Sequence, residues 1–216
     1  MLGEDSGLLP KTGYHHGGLA DALIELAIAQ IAESGMEKLS LRALARKAGV
    51  STTAPYRHFS SRESLLAAIA TRGFHKLTEK IDQSLATAAS FEARFIAMGM
   101  AYIENAVADP VSYHLMFGDM TGSGRYDGLT SAADDCFSRL FRILEINAPL
   151  DRLGVSALEL SAAVWAGVHG IASLLITDLH QSRVGRPDSQ AGRALATLAA
   201  QPERALQLLF IQWLRN

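Results

Sequence analysis

Apolar residues recur every three to four positions along almost the whole chain, and no segment alternates apolar with polar residues as a strand would. An amphipathic helix produces this period, because residues three and four apart lie on one face of its surface. The sequence therefore predicts an all-α protein, with helices over about 18–34, 41–48, 52–58, 60–88, 90–108, 110–117, 128–146, 156–180 and 202–215.

Several of these predicted helices have recognisable ends. Gly35 follows the first apolar stripe and is expected to end that helix, since glycine adopts the C-cap conformation without strain. Ser60 and Glu63 have the spacing of a capping box, in which each side chain bonds to the other residue's backbone N–H. Pro55 and Pro202 are tolerated because each falls in a first helical turn, where a missing N–H costs nothing.

The helical pattern divides into a short head and a longer body. Residues 1–16 lack periodic apolar positions and are expected to form a flexible arm. The head, residues 17–62, holds three short predicted helices, and a long helix over 63–88 is expected to connect it to the body. The body, residues 89–216, has enough predicted helix for a larger bundle with a core of its own.

Composition excludes several classes of protein. The 216 residues are 49% apolar and 19% charged, an ordinary globular balance that excludes wholesale disorder. Cys136 is the only cysteine, so a disulfide framework and a zinc ribbon are excluded and a reducing cytosol is expected. The pair His15 and His16 has no carboxylate or cysteine at metal-ligand spacing, and we expect neither a metal site nor a cofactor.

Leu160–Thr177 is the one stretch that resembles a membrane span, because its eighteen residues carry no formal charge. A span needs about 20 apolar residues and a basic cytoplasmic flank, whereas Glu159 and Asp178 border this stretch. The N-terminus carries Glu4 and Asp5 where a secretory signal would have basic residues. We therefore expect a cytoplasmic protein, with no membrane partner, in which this stretch is a buried helix.

The formal charge of −2 conceals an asymmetry along the chain. Residues 1–80 carry a net charge of +2 and residues 81–216 a net charge of −4. The stretch 39–62 has no acid and five basic residues, which are Arg42, Arg46, Lys47, Arg57 and Arg62. Two short helices joined by a tight turn at Gly49 can place the second in a DNA major groove about 12 Å wide. The alternative is a helical hairpin whose charges face only water.

The head also carries a dense motif. It consists of Leu39-Ser-Leu-Arg-Ala-Leu-Ala-Arg-Lys-Ala-Gly-Val-Ser51, Ala54-Pro-Tyr-Arg-His-Phe59 and Ser61-Arg-Glu-Ser-Leu-Leu66. Over about residues 15–75 this sequence closely resembles the TetR (tetracycline repressor) family of transcriptional regulators. In the body, Trp165-Ala-Gly-Val-His169-Gly170 resembles the Trp-x-x-x-His-Gly signature of one C-terminal domain class of that family. The resemblance implies a helix-turn-helix at about 40–59 and a body that binds an effector and dimerises.

The resemblance also implies roles for residues of the head. Arg42, Thr52 and Thr53 are expected to reach base edges, because arginine pairs with guanine and threonine offers a hydroxyl and a methyl group. Tyr56 and His58 are expected to contact phosphates. Ser40 and Arg62, each near the N-terminus of a predicted helix, are expected to do the same. The complete predicted DNA-binding set is Ser40, Arg42, Thr52, Thr53, Tyr56, Arg57, His58 and Arg62.

A single head reads too few base pairs to select one operator, so we expect a homodimer on palindromic double-stranded DNA. By resemblance, the dimer pairs the last two long helices, here at about 156–180 and 202–215. A line of small residues would permit close helix approach, and it comprises Ala162, Ala166, Gly170 and Ser173. The alternative is that this line packs within one subunit.

The body offers candidates for an effector pocket. Trp165 and His169 share a helix face, although a histidine in this position is more often a satisfied core residue. Soft or aromatic residues that could line a pocket or simply fill the core are Met98, Tyr102, Met116 and Phe117, with His114 as a further polar anchor. No basic cluster there would hold a phosphate. The expected effector is therefore a small hydrophobic or aromatic molecule that releases a repressor from DNA.

Two other classes of function compete with this regulator. An enzyme is not expected, because no catalytic triad order, phosphate-binding glycine loop or metal-ligand spacing is present. Asp134 and Asp135 precede Cys136 and would disfavour a reactive thiolate. The second alternative is a DNA-binding regulator or architectural protein without an effector, acting constitutively or as an activator. The body is far larger than a DNA-reading head needs, which argues against that alternative.

Overall fold

All regular structure is helical in the residues that the computed structural model describes, which are 18–121, 124–181 and 189–214. The α-helices of these ranges are α1 Leu19–Ser34, α2 Leu41–Lys47, α3 Arg62–Leu85, α4 Phe91–Ala108, α5 Pro110–Met116, α6 Asp127–Asn147, α7 Leu150–Leu153, α8 Ala157–Gln181, α9 Gln190–Ala200 and α10 Pro202–Trp213. Two 3₁₀ helices lie at Met36–Lys38 and Ala54–Arg57. The prediction of an all-α protein is confirmed.

The segment predicted as a short α-helix over 52–58 has a different conformation. It is a turn followed by the 3₁₀ helix Ala54–Arg57, in which the N–H of Tyr56 donates to the carbonyl of Thr53 at 3.2 Å. Pro55 has no N–H with which to continue an α-helical ladder, and the single turn closes on bonds that span three residues. The α-helix prediction is therefore wrong here, although the segment does follow the predicted turn after α2.

Two helices of the body were not predicted. Helix α7 is a single turn that Gly154 ends in the left-handed conformation, with φ of 66°. Helix α9 is capped by Ser189, whose hydroxyl accepts a hydrogen bond from the N–H of Gly192 at 3.1 Å. Most of its residues are alanine or polar, and none of them is buried. The predicted arm, residues 1–16, lies outside the described residues.

The predicted capping box of Ser60 and Glu63 is wrong by one residue. The hydroxyl of Ser61 accepts a hydrogen bond from the N–H of Ser64 at 3.1 Å, and the Ser64 hydroxyl accepts one from the N–H of Ser61 at 3.0 Å. Helix α3 begins at Arg62, so Ser61 is the residue that can reach the unpaired N–H groups of the first turn. The reciprocal pair uses a serine where glutamate is the usual partner.

Two compact units make up the chain, and their boundary falls inside α3, between Leu65 and Leu66. The first unit contains α1, α2, both 3₁₀ helices and the first turn of α3. The rest of α3 belongs to the second unit, together with α4 to α10. The division into arm, head, connecting helix and body that the sequence suggests stays a prediction about function.

The first unit has a small apolar core with a polar clamp beside it. Leu23 and Ala27 of α1 and Leu44 of α2 are completely buried. Next to them the buried amide of Gln30 donates a hydrogen bond to the carbonyl of Lys38 at 2.9 Å. This bond links the end of the 3₁₀ helix Met36–Lys38 to α1.

In the second unit, α4 packs against α8, α10, α5 and α6. Glycines permit two close contacts between helices. A Cβ placed on Gly99 would lie 2.8 Å from both methyl carbons of Leu206, which is completely buried in α10. A Cβ on Gly73 would lie 2.6 Å from the sulfur of Met116, which joins α3 to α5. These two positions set how closely the helices of the second unit can approach.

Helix α8 is long and apolar enough to cross a membrane by composition alone, with a mean hydropathy of 1.6 over Ala157–Thr177. It packs against α4, α6, α9 and α10. A single helix of this kind is what the core of a globular protein commonly contains, and it does not indicate a membrane protein. Only 39% of its apolar stretch is buried within one chain.

Candidate functional sites

The first candidate site is the surface formed by α2, the turn after it and the 3₁₀ helix Ala54–Arg57. Gly49 ends α2 with φ of 69°. Its N–H donates to Arg46 O at 3.2 Å, and the N–H of Val50 donates to Ala45 O at 3.0 Å, which together form a Schellman motif. Glycine is needed here because a side chain would strain this left-handed backbone. The motif turns the chain sharply toward Thr52.

Most of the predicted DNA-binding residues lie on the surface of the first unit. Tyr56 is 47% exposed, which is a high fraction for a large aromatic residue. Pro55 and Phe59 are buried on either side of it and anchor the segment to the core. The other exposed members of the predicted set are Ser40, Arg42, Thr52, Thr53, Arg57 and His58.

Arg62 is the exception in this set. One of its terminal amino groups, Nη2, donates a hydrogen bond to Met36 O at 2.6 Å, and the other, Nη1, lies 3.8 Å from the carboxylate of Glu63. Together with the bond from Gln30 to Lys38, this contact ties both ends of the 3₁₀ helix Met36–Lys38 to neighbouring helices. Arg62 therefore has a structural partner inside the head, and its predicted contact with phosphate stays a prediction.

The second candidate site is a cavity of about 210 Å³ inside the second unit. Three buried residues of α3 form one wall, and they are Phe74, Leu77 and Ile81. Helix α4 contributes Phe95, Met98 and Tyr102. Helices α6 and α8 provide much of the remaining lining, including Asp134, Phe137, Leu140, Val164 and Trp165. Apolar side chains that enclose a concave space of this kind are typical of small-molecule sites.

The predicted effector residues divide between the cavity wall and its surroundings. Met98, Tyr102, Phe117 and Trp165 line the cavity. The remaining three lie elsewhere in the second unit. Met116 is completely buried and lies against Gly73, and His114 is exposed and bonds to Pro110 O. His169 does not line the cavity but bonds to Tyr102, which does. The α3 residues were not among the candidates, although the apolar stripe predicted for that helix is the signal that could have revealed them.

His169 belongs to a polar cluster next to the cavity. Its Nδ1 lies 2.9 Å from the hydroxyl of Tyr102 and 2.8 Å from the hydroxyl of Tyr113. The Tyr113 hydroxyl also lies 3.2 Å from that of Ser173 and donates to His169 O at 3.3 Å. A neutral imidazole with its proton on Nε2 satisfies this geometry, because Nδ1 then accepts from a phenol. The cluster fixes the imidazole between α4, α5 and α8.

Burial perturbs several of these groups. It raises the pKa of the Tyr102 phenol far above its usual range, and it also raises that of Tyr113, so both phenols stay protonated. Burial, with the nearby His114 as a smaller cause, lowers the pKa of His169 from its ordinary 6.5. Burial raises the pKa of the Cys136 thiol to about 11. A neutral thiol of this kind is a poor nucleophile.

A third surface feature is an uncovered apolar face on α8. Ala162 and Ala166 are exposed, and a Cβ on Gly170 would meet nothing within 4 Å. The small-residue line predicted from the sequence thus faces outward at these three positions, whereas Ser173 is partly buried against Tyr113. Large apolar residues that are exposed on α8 and α10 are Leu158, Trp165, Leu174, Leu208 and Ile211. No group of three metal-ligating side chains occurs in the described part of the chain.

Two parts of the chain match models of known protein families. Residues 23–69 match the model for bacterial regulatory proteins of the tetR family. Residues 95–200 match a tetracyclin repressor-like C-terminal domain. The chain belongs to the TetR family. TetR-family proteins are DNA-binding transcriptional regulators and not enzymes, so the resemblance seen in the sequence is confirmed for both parts of the chain.

Individual relatives agree with the family assignment. The HTH-type transcriptional regulator Rv1816 of Mycobacterium tuberculosis is 33% identical over 98 residues, which is 44% of this chain and 42% of that protein. The chain thus matches less than half the length of this relative. A solved structure from Rhodococcus sp. RHA1, of a protein with unknown function, is 29% identical with a TM-score of 0.67 and covers 90% of this chain and 98% of its own.

The TetR fold also recurs in more distant solved structures. The transcriptional regulator FadR from Bacillus subtilis, in complex with stearoyl-CoA, is 14% identical. It has a TM-score of 0.62 and covers 88% of this chain and 96% of its own. At this identity the likeness concerns the fold alone.

Proposed function

We propose that this TetR-family protein is a homodimeric, sequence-specific DNA-binding regulator in the cytoplasm, a repressor that a small hydrophobic or aromatic effector releases from a palindromic operator. The observation that carries this proposal is the course of α3. The helix begins at Arg62 in the DNA-reading unit, and further along it Phe74, Leu77 and Ile81 line the cavity. A ligand that displaces these side chains acts on the helix that enters the first unit.

The DNA-binding part of the proposal is supported by the surface of the first unit. Arg42, Thr52 and Thr53 are exposed next to the Schellman turn, where side chains can enter a major groove. Tyr56 is exposed and does not belong to the buried core. Basic and hydroxyl side chains without nearby acids are the usual composition of a surface that contacts phosphates.

The dimer is supported by the uncovered face of α8. Apolar side chains on this helix and on α10 would lose contact with water if a second copy packed against them, which is favourable in proportion to the area covered. The small residues Ala162, Ala166 and Gly170 allow two helix backbones to approach closely. A two-fold dimer would present two heads to half-sites about 34 Å apart.

The effector part of the proposal requires only a modest coupling. A hundredfold loss of operator affinity corresponds to about 2.7 kcal/mol of difference between the ligand affinities of the two states. Ligand contacts with α3, α4, α6 and α8 in the cavity can supply a difference of that size. The FadR neighbour from Bacillus subtilis, whose structure contains stearoyl-CoA, shows that a protein of this fold can be found with a ligand.

The test starts from an operator selected by the purified protein out of a random duplex library. Arg42→Ala should relax the preference at particular bases, at a cost of about 1–3 kcal/mol, whereas Tyr56→Phe should weaken binding to all sequences. Arg142→Ala, which removes an exposed charge from α6, is the matched control and should leave operator binding unchanged. Binding that varies with salt but never with sequence would contradict the proposal.

The effector is tested separately by operator release. Compounds that raise the melting temperature of the protein should also lower its affinity for the selected duplex. If stabilising compounds leave operator affinity unchanged, the protein is instead a DNA-binding regulator without an effector, acting constitutively or as an activator.

A further inference from the structure

The cavity lining contains few side chains that could donate a hydrogen bond to a ligand. The Tyr102 hydroxyl lies 2.9 Å from Nδ1 of His169, which can accept its hydrogen. The hydroxyl of Thr121 donates to Met116 O at 2.5 Å. The lining also contains the indole N–H of Trp165, but it contains no lysine, arginine or histidine. A bound anion would need such donors, because burying a carboxylate or phosphate without them is costly.

What the cavity does offer is electron-rich surface. Six of its lining side chains are aromatic, namely Phe74, Phe95, Tyr102, Phe117, Phe137 and Trp165. Their rings meet edge to face or at a tilt, as between Phe74 and Phe117 at 5.5 Å and between Phe137 and Trp165 at 6.3 Å. Ring faces carry the negative part of the aromatic quadrupole and attract cations.

One lining residue bears a formal charge, and that charge is negative. Asp134 lies on α6 at the cavity, and it forms no ion pair with the part of the chain that the structure describes. Its neighbour Asp135 is paired with Arg139, which also bonds to Asp82 in a bidentate arrangement with both distances at 3.2 Å. Arg139 is thus paired with two other carboxylates, and the carboxylate of Asp134 is available to a positively charged ligand group.

The volume of the cavity limits the size of the ligand that it can hold. A cavity of about 150 Å³ is known to hold benzene, so 210 Å³ fits one ring with a short substituent. The aromatic walls and the exposed Asp134 lie on the same cavity, so a ligand could place its ring among the walls and its charge toward the carboxylate.

We propose that the cavity selects a small aromatic cation, such as a phenyl-substituted quaternary ammonium, over neutral and anionic molecules of the same shape. This inference rests on the proposed effector function of the cavity and specifies the ligand class. The charge lies against the ring faces and near Asp134. Discrimination against anions follows from the carboxylate of Asp134 and from a lining that has no cationic side chain.

Three probes of matched shape test this. They are phenethyltrimethylammonium, its uncharged carbon isostere (3,3-dimethylbutyl)benzene, and 3-phenylpropanoate, each titrated into the full chain by calorimetry. The cation should bind at least about tenfold more tightly than either of the others, which corresponds to about 1.4 kcal/mol. Asp134→Asn should abolish most of that preference. Asp135→Asn removes the same formal charge from a side chain that does not line the cavity, and should leave the preference in place.

The inference would be overturned if the isostere or the carboxylate bound as tightly as the cation. It would also be overturned if none of the three probes bound, or if Asp134→Asn kept the full preference for the cation. Operator affinity is measured on the same samples with and without each probe. An isostere that binds and releases the operator would leave the effector function standing while it removes the cation preference. Intact protein that binds no operator would instead count against the proposed DNA-binding function, independently of the probes.

Discussion

The hydroxyl of Tyr102 lies 2.9 Å from Nδ1 of His169, although 67 residues separate them in the chain. The contact joins Tyr102 of α4, which lines the cavity, to His169 of α8, which does not. A second phenol, that of Tyr113, lies equally close to the same nitrogen. A single imidazole lone pair cannot accept fully from both, so the two phenols compete for it and one of them bonds elsewhere in the cluster.

Because of this competition, the losses of unfolding free energy in the Tyr102 and Tyr113 variants should not be additive. Tyr102→Phe should cost less than about 1 kcal/mol of unfolding free energy, because Tyr113 can still donate to Nδ1. The double variant Tyr102→Phe with Tyr113→Phe leaves Nδ1 of the partly buried His169 without either donor and should cost about 1 kcal/mol more than the sum of the single changes. Urea denaturation of the four proteins measures the coupling, and additive losses would contradict it.

The depressed pKa of His169 predicts how stability depends on pH. The unfolded chain, with a pKa near the ordinary 6.5, binds a proton more readily than the folded protein does. Unfolding free energy should therefore fall as pH drops through 6.5, until the folded imidazole is also protonated. His169→Gln should flatten this part of the profile in melting curves across that range. A profile identical to the wild type would show that other groups cause it.

The contact between Gly99 and Leu206 predicts the effect of a single methyl group. Gly99→Ala would place a Cβ 2.8 Å from both methyl carbons of a completely buried leucine, and should cost about 1–3 kcal/mol of stability. Adding Leu206→Val should recover part of the loss. Gly128→Ala, at an exposed position of α6 where a Cβ meets nothing within 4 Å, is the control and should not destabilise the protein. Thermal unfolding separates the two outcomes.

The proposed dimer predicts a concentration-dependent size. Gly170→Arg places a charge on the uncovered face of α8 and should give monomers that lose operator affinity. Ala93→Glu changes an exposed residue in the first turn of α4 and should sediment as the wild type does. Analytical ultracentrifugation compares them. A normal dimer from Gly170→Arg would place the interface elsewhere.

Arg62 should contribute both to the stability of the head and to DNA affinity. Arg62→Ala removes the hydrogen bond to Met36 O and should lower stability by about 1 kcal/mol. If the side chain also contacts phosphate, the salt dependence of operator binding should decrease by about one counterion. Arg57→Ala, from an exposed position in the head, should change the salt dependence without the loss of stability. Loss of stability with an unchanged salt slope would assign Arg62 a structural role alone.

Local signals in the sequence predicted most helices correctly. Gly35 ends α1 and Pro202 starts α10 as expected, because each acts through its own backbone. The capping box was misplaced by one residue because Ser60 and Ser61 are chemically alike, and only the start of α3 distinguishes them. Short-range chemistry therefore predicts where helices occur more accurately than it predicts their exact first residue.

The residues of the two candidate sites were harder to predict from the sequence than the helices were. Met98 and Trp165 were candidates on residue type, but the helical period cannot tell whether a stripe faces a packed core or a cavity. The contacts of His169 with two phenols, and of Arg62 with Met36 O, join residues far apart in the chain. Such contacts depend on how the helices pack, which local pattern does not encode.

The cavity walls differ in how freely they can change over evolution. Phe74, Leu77 and Ile81 on α3 are buried, so a substitution there alters the core as well as the ligand site. Asp134 on α6 is exposed and Phe137 is only partly buried, so changes there disturb less of the packing. If the cavity binds an effector as proposed, substitutions on α6 could change which ligand it accepts while α3, the helix that continues into the first unit, stays constant.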